Sequence, residues 1–417
     1  MKKFIKEFRV KGNKYVFNGS NLDLFKVTDE NEYYNYLKEE DSLEKPVMSS
    51  NSLVKIVLNV SNSCNLRCKY CYADDGVYGH KNRNLMSEET LEKVLKMLED
   101  RGICEIGIVS FFGGEPLLNF SLIKKGLEEF SKRFKIGVFE IVTNGLLLNE
   151  EKINHLKKYH VNLSVSMDGP IECTDVLRGR GTFDKAYKAL MLAKEKNFPK
   201  LYASVTYTKI HEDKGYTFAD IENYVKKMGI RASISRVLTQ DKTLIPEERF
   251  ELDKQKKYIN NSLKKIEKNE KEGSINPFLY RVLLSLIFKT KSYTFCDDLQ
   301  LENSIAFDYD GAIFNCFHFW GDKRYDVSDW SMNETIKKEN DKNNFAMCRE
   351  CWARNFCKEC TAAMMYGLIN NPIRDGKCDS ENIYEVCLTE ILALIEEGRF
   401  EKIVSNFIEN FMVYTSE

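Results

Sequence analysis

Three cysteines within eight residues constrain this chain more than any other feature: Cys64, Cys68 and Cys71, in the run Ser63-Cys64-Asn65-Leu66-Arg67-Cys68-Lys69-Tyr70-Cys71. A [4Fe–4S] cluster normally takes four cysteines. Three thiolates on one short loop can hold three of its irons and leave the fourth open to another ligand. The loop follows the apolar run Leu53 to Val60, which reads as a strand. The C-terminal end of a first barrel strand is where a β/α enzyme places its site. Structural zinc is one alternative, but it normally takes four N/S ligands, and the nearest histidine, His80, lies nine residues beyond Cys71. Three unrelated core cysteines are the other, set against a loop made polar by Asn65, Arg67 and Lys69.

The spacing, with aromatic Tyr70 before the last cysteine, resembles the signature of the radical S-adenosylmethionine (SAM) superfamily. The resemblance implies that SAM chelates the open iron at Cys64, Cys68 and Cys71. One-electron cleavage of SAM to a 5′-deoxyadenosyl radical, which abstracts hydrogen from the substrate, follows from the same likeness. The superfamily's further motifs fall in order. The strand Glu105 to Phe112 runs into Gly113-Gly114-Glu115-Pro116, where the resemblance assigns Glu115 and nearby backbone to the SAM ammonium. The strand Ile136 to Val142 ends in Thr143-Asn144-Gly145, also cofactor-binding by resemblance. The strand Val161 to Ser166 ends in Met167-Asp168-Gly169-Pro170, which makes Ser166 and Asp168 partners for the ribose. Arg178 stands where relatives pair an arginine with the SAM carboxylate, a task suited to a guanidinium fork. Each motif alone also reads as an ordinary turn.

Helical patterns alternate with these strands. Ser87 can cap a helix through Asp100, and Phe120 to Phe134, Glu150 to Tyr159 and Asp184 to Lys196 read similarly. Strands Leu201 to Tyr207 and Arg231 to Val237 flank a helix near Phe218 to Met228. The expected fold is α/β, a partial (β/α)₆ TIM barrel over residues 51–240. A charged helical linker follows over 241–290, whose lysine–glutamate runs read as a solvated face.

A second cysteine pattern fills residues 291–385. Cys296 is followed by fourteen residues, Gly311, four residues and Cys316; then come Cys348-x₂-Cys351-x₅-Cys357-x₂-Cys360 and Cys378. Phe307 to Phe314 reads as a hairpin around Asp310-Gly311. Paired C-x₂-C knuckles are a zinc signature, but seven cysteines exceed one tetrahedral site. The pattern resembles the SPASM domain, which implies two auxiliary [4Fe–4S] clusters and three clusters in all. By that likeness Cys348, Cys351, Cys357 and Cys378 hold the outer cluster. Cys296, Cys316 and Cys360 hold the inner one, with an open iron near Cys316 as a catalytic position. The spacing departs once, with x₂ rather than x₃ before Cys360. Cys387 could close the inner site, or belong to the apolar stripe of Ile383, Ile391 and Leu394 in a C-terminal helix placed over 386–417. Cys104 and Cys173 read as core and loop residues.

Formal net charge is −1, which argues against nucleic acid as the main partner. Thirteen cysteines, ten in metal-type spacings, point to a reducing, cytoplasmic setting. No run approaches membrane-spanning length, and Met1 to Lys6 lacks an apolar signal core. Residues 1–50 read as a hairpin, Lys14 to Phe17 and Leu22 to Val27, with a short helix near Asp29 to Lys38. Two roles fit it: capture of a precursor-peptide leader by strand addition, or a cap on the open side of the barrel.

The resemblance implies an enzyme acting on a ribosomally made, cysteine-rich precursor peptide, installing a thioether crosslink, with a small electron donor such as flavodoxin or ferredoxin. Anaerobic sulfatase maturation is the alternative. Those enzymes carry an aspartate directly after the cysteine of G-x₄-C, where this chain has Phe317. Other peptide crosslinking or splicing chemistry uses similar scaffolds; an electron-transfer protein without catalysis would need the clusters but not Glu115, Asp168 or Arg178, whose presence in order argues for an enzyme.

Overall fold

The computed structural model describes residues 4–38, 51–246, 251–270, 275–296, 299, 303–328, 330–331, 333–368 and 378–411. Its centre is a run of six parallel strands in chain order: β4 (Ser52–Ser61), β5 (Glu105–Gly113), β6 (Lys135–Thr143), β7 (Val161–Ser166), β8 (Leu201–Tyr207) and β9 (Arg231–Arg236). Helices Glu88–Asp100, Phe120–Arg133, Glu150–Leu156, Thr182–Glu195 and Phe218–Lys227 fill the crossovers. Ser87 caps the first of them through the Thr90 N–H, and Leu91, Val94, Leu95 and Leu98 bury one face, as the 3.6-residue spacing predicts. These faces and the strands enclose the largest core, which includes Ile56, Leu58, Val109, Phe111, Ile141 and Leu163. The α/β partial barrel expected from the sequence is the observed fold. An unexpected helix, Ile171–Arg178, follows β7.

The sheet does not begin at β4. Strand β10 (Ser304–Phe307) pairs parallel with β4, with Ile305 opposite Ile56, and β11 (Ile313–Phe314) pairs antiparallel with β10. The hairpin expected around Asp310-Gly311 therefore extends the barrel sheet itself. Gly311 has φ +92°, which its turn requires. All four residues of β10 are buried, so this pairing seals the edge of β4.

The N-terminal segment is a three-stranded antiparallel sheet: β1 (Ile5–Val10), β2 (Asn13–Asn18) and β3 (Asp23–Lys26). The sequence reading had the hairpin of β2 and β3 but missed β1. The helix Glu30–Tyr36 follows; residues 1–3 and 39–50 of that expected unit lie outside the described residues. Among the described residues the core residues of this sheet lie apart from the barrel core. The sheet joins a second core with helices Leu252–Glu267, Pro277–Phe288, Asp379–Glu396 and Phe400–Phe411, together with Trp352 and Phe356. The single C-terminal helix expected over 386–417 is thus two helices, parted near Gly398 (φ +67°), with 412–417 outside the described residues. Residues 247–250 and 271–274 of the charged segment also lie outside them. No described helix is long and apolar enough to cross a membrane.

Candidate functional site

The C-terminal ends of the parallel strands converge on the three-cysteine loop. At the end of β4 and just beyond it, the Ser61 and Ser63 carbonyls accept hydrogen bonds from the Gly114 and Glu115 N–H groups, each at 2.8 Å. The glycines exist for this approach. A Cβ on Gly113 would stand 2.3 Å from the Ser61 carbonyl oxygen, and one on Gly114 would stand 2.5 Å from that of Ser63. Gly76, which the sequence reading passed over, closes the loop from the other side. A Cβ there would lie 2.6 Å from Gly114 Cα and 2.9 Å from Cys64 Cβ.

Glu115 is fully buried and already bonded. Its Oε1 accepts from the Thr143 hydroxyl (2.6 Å) and the Leu117 N–H (3.0 Å), and its Oε2 from the Asn144 N–H (2.8 Å). Burial raises its pKa, against these bonds. The carboxylate thereby fastens the end of β5 to the end of β6. Asn144 in turn donates to Asn65 Oδ1 at 2.7 Å and lies 4.0 Å from Cys64 Sγ.

The end of β7 forms a second anchor. Asp168 Oδ2 accepts from Tyr70 Oη and Arg178 Nε, both at 2.7 Å; its Oδ1 accepts from Arg178 Nη2 (3.1 Å) and the Thr206 N–H (2.8 Å). Arg178, expected to pair with a SAM carboxylate, bonds Asp168 here, and Asp168, expected at the ribose, bonds Arg178, Tyr70 and the β8 backbone. The reason is burial: neither group is more than 7% exposed, so each needs the other. Ser166 ends β7 beside them and is buried. The helix bearing Arg178 also receives the loop directly, through the Lys69 N–H on the Leu177 carbonyl (2.8 Å).

Burial pushes Cys68 up to about 12, partly opposed by the Arg178 charge, and also raises Cys64. Cys64 and Cys71 both add to the Cys68 shift, which places the three thiols within electrostatic reach of one another. Among the described residues no three Cys, His, Asp or Glu side chains are arranged around one metal ion. Cluster ligation makes a different demand, one thiolate per iron around a larger body, and a coordinating thiol is deprotonated outright.

The second cysteine pattern divides in space. Cys348, Cys351, Cys357 and Cys378 line one small cavity, with Lys342 and Glu359. Burial raises all four; Cys348 is pushed to about 11 and Cys351 to about 12, and Cys378 adds to the shift at each of the other three. Lys342 is wholly buried and donates to the Ser292 (2.6 Å) and Arg354 (2.7 Å) carbonyls, which sets a cation beside these thiols.

Cys296, Cys316 and Cys360 instead share a buried cluster with Cys71 and Phe112. Asn340 joins two of them. It bonds the Cys296 N–H and carbonyl, each at 2.8 Å, and accepts from Thr361 Oγ1 beside Cys360 at 2.8 Å. Cys387 lies in the second core among Ile383, Leu388 and Ile391. Cys104 and Cys173 reverse their expected settings: Cys104 is exposed before β5, and Cys173 is buried in the helix after β7.

A pocket of about 540 Å³ opens between the two halves. Cys71, Tyr72 and Tyr78 line its barrel side, and His318, Trp320, Asp322 and Tyr366 the other. Thr239 to Asp241, past β9, complete it, fastened by the Thr239 N–H on the Leu368 carbonyl and Gln240 Nε2 on the Tyr366 carbonyl, each at 2.8 Å. The sequence reading named none of these lining residues except Cys71. They come from four separate stretches, and no local spacing signals them.

Comparison with known proteins matches residues 58–228 to the radical SAM superfamily. The radical SAM cyclopropyl synthase TigE of Paramaledivibacter caminithermalis is 30% identical over 183 residues, 40% of this chain and 38% of the synthase. The structure of native anSMEcpe with bound AdoMet and Cp18Cys peptide superposes with TM-score 0.61 at 19% identity, covering 85% of this chain and 99% of that one. Streptococcus suis SuiB bound to precursor peptide SuiA gives TM-score 0.53 at 14% identity, over 89% and 97%. The three-cysteine loop and the glycine, asparagine and aspartate strand ends all fall inside the matched region, so residues 58–228 form a radical SAM domain, of a superfamily that implies SAM and a [4Fe–4S] cluster.

Proposed function

We propose that the protein is a radical SAM peptide maturase that joins a cysteine sulfur of a precursor peptide to a carbon of the same peptide. The observation that carries this reading is the 540 Å³ pocket, bounded on one side by Cys71 and Tyr72 and on the other by His318, Trp320 and Asp322, in the turns that follow Cys316. A site for carbon and sulfur chemistry on one substrate needs both walls. Structural neighbours crystallised with a peptide support a peptide substrate.

In this reading Cys64, Cys68 and Cys71 hold the cluster that binds SAM. Cys348, Cys351, Cys357 and Cys378 hold an outer auxiliary cluster, and Cys296, Cys316 and Cys360 an inner one. Bound together, SAM and its cluster supply a 5′-deoxyadenosyl radical that takes a hydrogen atom. The chain's part is placement. Glu115, Thr143 and Asn144 fix the loop against β6, and Asp168, Arg178 and Tyr70 fix it against β7 and β8. By this reading the Gly113-Gly114 edge and Ser166 would be the groups left to meet SAM. Tyr72, Trp320 and Tyr366 give the pocket apolar walls suited to a peptide side chain. Thioether formation breaks one C–H and one S–H bond: the adenosyl radical would take the carbon's hydrogen atom, the thiol proton would leave to solvent, and an auxiliary cluster held by the cysteines named above would accept the one remaining electron. A flavodoxin or ferredoxin is the reductant class that starts a turnover.

The test is anaerobic reaction of reconstituted protein with SAM, reductant and candidate cysteine-rich peptides. Loss of two hydrogens with loss of one alkylatable thiol supports the thioether. The likeness to a cyclopropyl synthase favours a second reading, carbon–carbon bond formation, which would show the same mass loss with every thiol retained.

A further inference from the structure

We infer that the N-terminal sheet is the outer wall that positions the Cys348, Cys351, Cys357 and Cys378 set, with Gly19, Phe17 and Trp352 as its positioning residues. The inference rests on the reading that these four cysteines hold an auxiliary cluster. The segment from Glu350 to Cys360 has only turns and no ladder of its own. The two ligands presented from this segment, Cys351 and Cys357, need support from outside it.

The sheet supplies that support through the residues between the cysteines. Trp352 and Phe356 are turned into the second core while Cys351 and Cys357 line the cavity. The Trp352 ring meets Phe8 and Phe17 edge-on, with centroids at 6.0 and 5.8 Å. Phe356 stacks on Phe17 at 4.9 Å and packs against Tyr384 at 5.6 Å. Asn355 Nδ2 donates to the Gly19 carbonyl at 2.7 Å.

Gly19 is the tightest point. A Cβ there would stand 1.9 Å from the Trp352 carbonyl oxygen, so any side chain must push the cysteine segment away. The same sheet grips the helix that Cys378 caps. Lys6 pairs with Glu385 (2.7 Å), and Asn13 and Lys26 bond Glu396 at 2.9 and 3.3 Å. One small sheet thus touches the segment bearing Cys351 and Cys357 and the helix that begins at Cys378.

The test is iron content and Mössbauer spectra of the full, anaerobically reconstituted chain, with 5′-deoxyadenosine formation as readout of the Cys64 loop. Cys348→Ala serves as reference for loss of the outer set. Gly19→Ala is expected to lose about four of roughly twelve irons, with the same spectral component missing as in the reference, and to keep SAM cleavage. Trp352→Ala should do the same and Trp352→Phe should restore the component. Should Gly19→Ala fail to fold, Asn355→Ala gives the decision on the same spectrum. Full iron with an unchanged spectrum in the Gly19, Asn355 and Trp352→Ala variants that fold would overturn the inference alone. Equal iron in wild type and Cys348→Ala would instead overturn the auxiliary-cluster reading, and this inference with it.

Discussion

Arg178 lays its guanidinium across both oxygens of Asp168, and the pair is sealed between the cysteine loop and strands β7 and β8. With Tyr70 donating to the same carboxylate, one ion pair fixes the aromatic of the cysteine motif, the end of a strand and the last turn of a helix. Asp168→Asn leaves a buried cation without its charge partner, a change that costs about 3–5 kcal/mol. Urea unfolding of the apoprotein measures it, and a loss of well under 1 kcal/mol would mean the pair is solvated in solution.

Glu115 accepts three hydrogen bonds from two chain segments. In Glu115→Gln the amide nitrogen must face a donor already in place, so stability should fall by about 1–3 kcal/mol. SAM affinity, measured by equilibrium dialysis on the reconstituted protein, should fall with it. Unchanged stability would remove the anchoring role, whatever happens to SAM.

His80 couples the barrel to the C-terminal half, with Nε2 2.8 Å from Asp308 Oδ2, while Asp308 also accepts from Asn59 Nδ2 at 2.7 Å. This bond raises the His80 pKa, against burial, which lowers it. A raised folded-state pKa gives stability that is fully present below the unfolded value of about 6.5 and is lost as pH rises through the folded value. The stability difference between wild type and His80→Gln should therefore be larger near about pH 5.5 than near about pH 8.5. Denaturant midpoints at both pH values decide it, and an equal gap at each counts against the pair.

Cysteine variants separate the sites. Cys64→Ala should abolish 5′-deoxyadenosine formation, whereas Cys316→Ala should leave some uncoupled SAM cleavage and no crosslinked peptide. Cys387 sits in the apolar core, so Cys387→Ala should leave iron content unchanged and cost about 1 kcal/mol of stability. Loss of iron in that variant would make Cys387 a ligand after all.

The sequence alone carried the parallel strands β4 to β9, the Ser87 cap and the cysteine spacings, because each is written in local periodicity or in turn chemistry. It also placed the glycine, asparagine and aspartate motifs at strand ends. It did not reveal that Asp168 and Arg178 satisfy each other, since residues ten apart across a turn can meet or diverge. Nor did it place β10 beside β4, some 250 residues away, or seat the N-terminal sheet on Trp352. Those pairings depend on which buried edges and apolar faces remain open after the local elements form. That is a property of the packed chain, and no stretch of residues encodes it by itself.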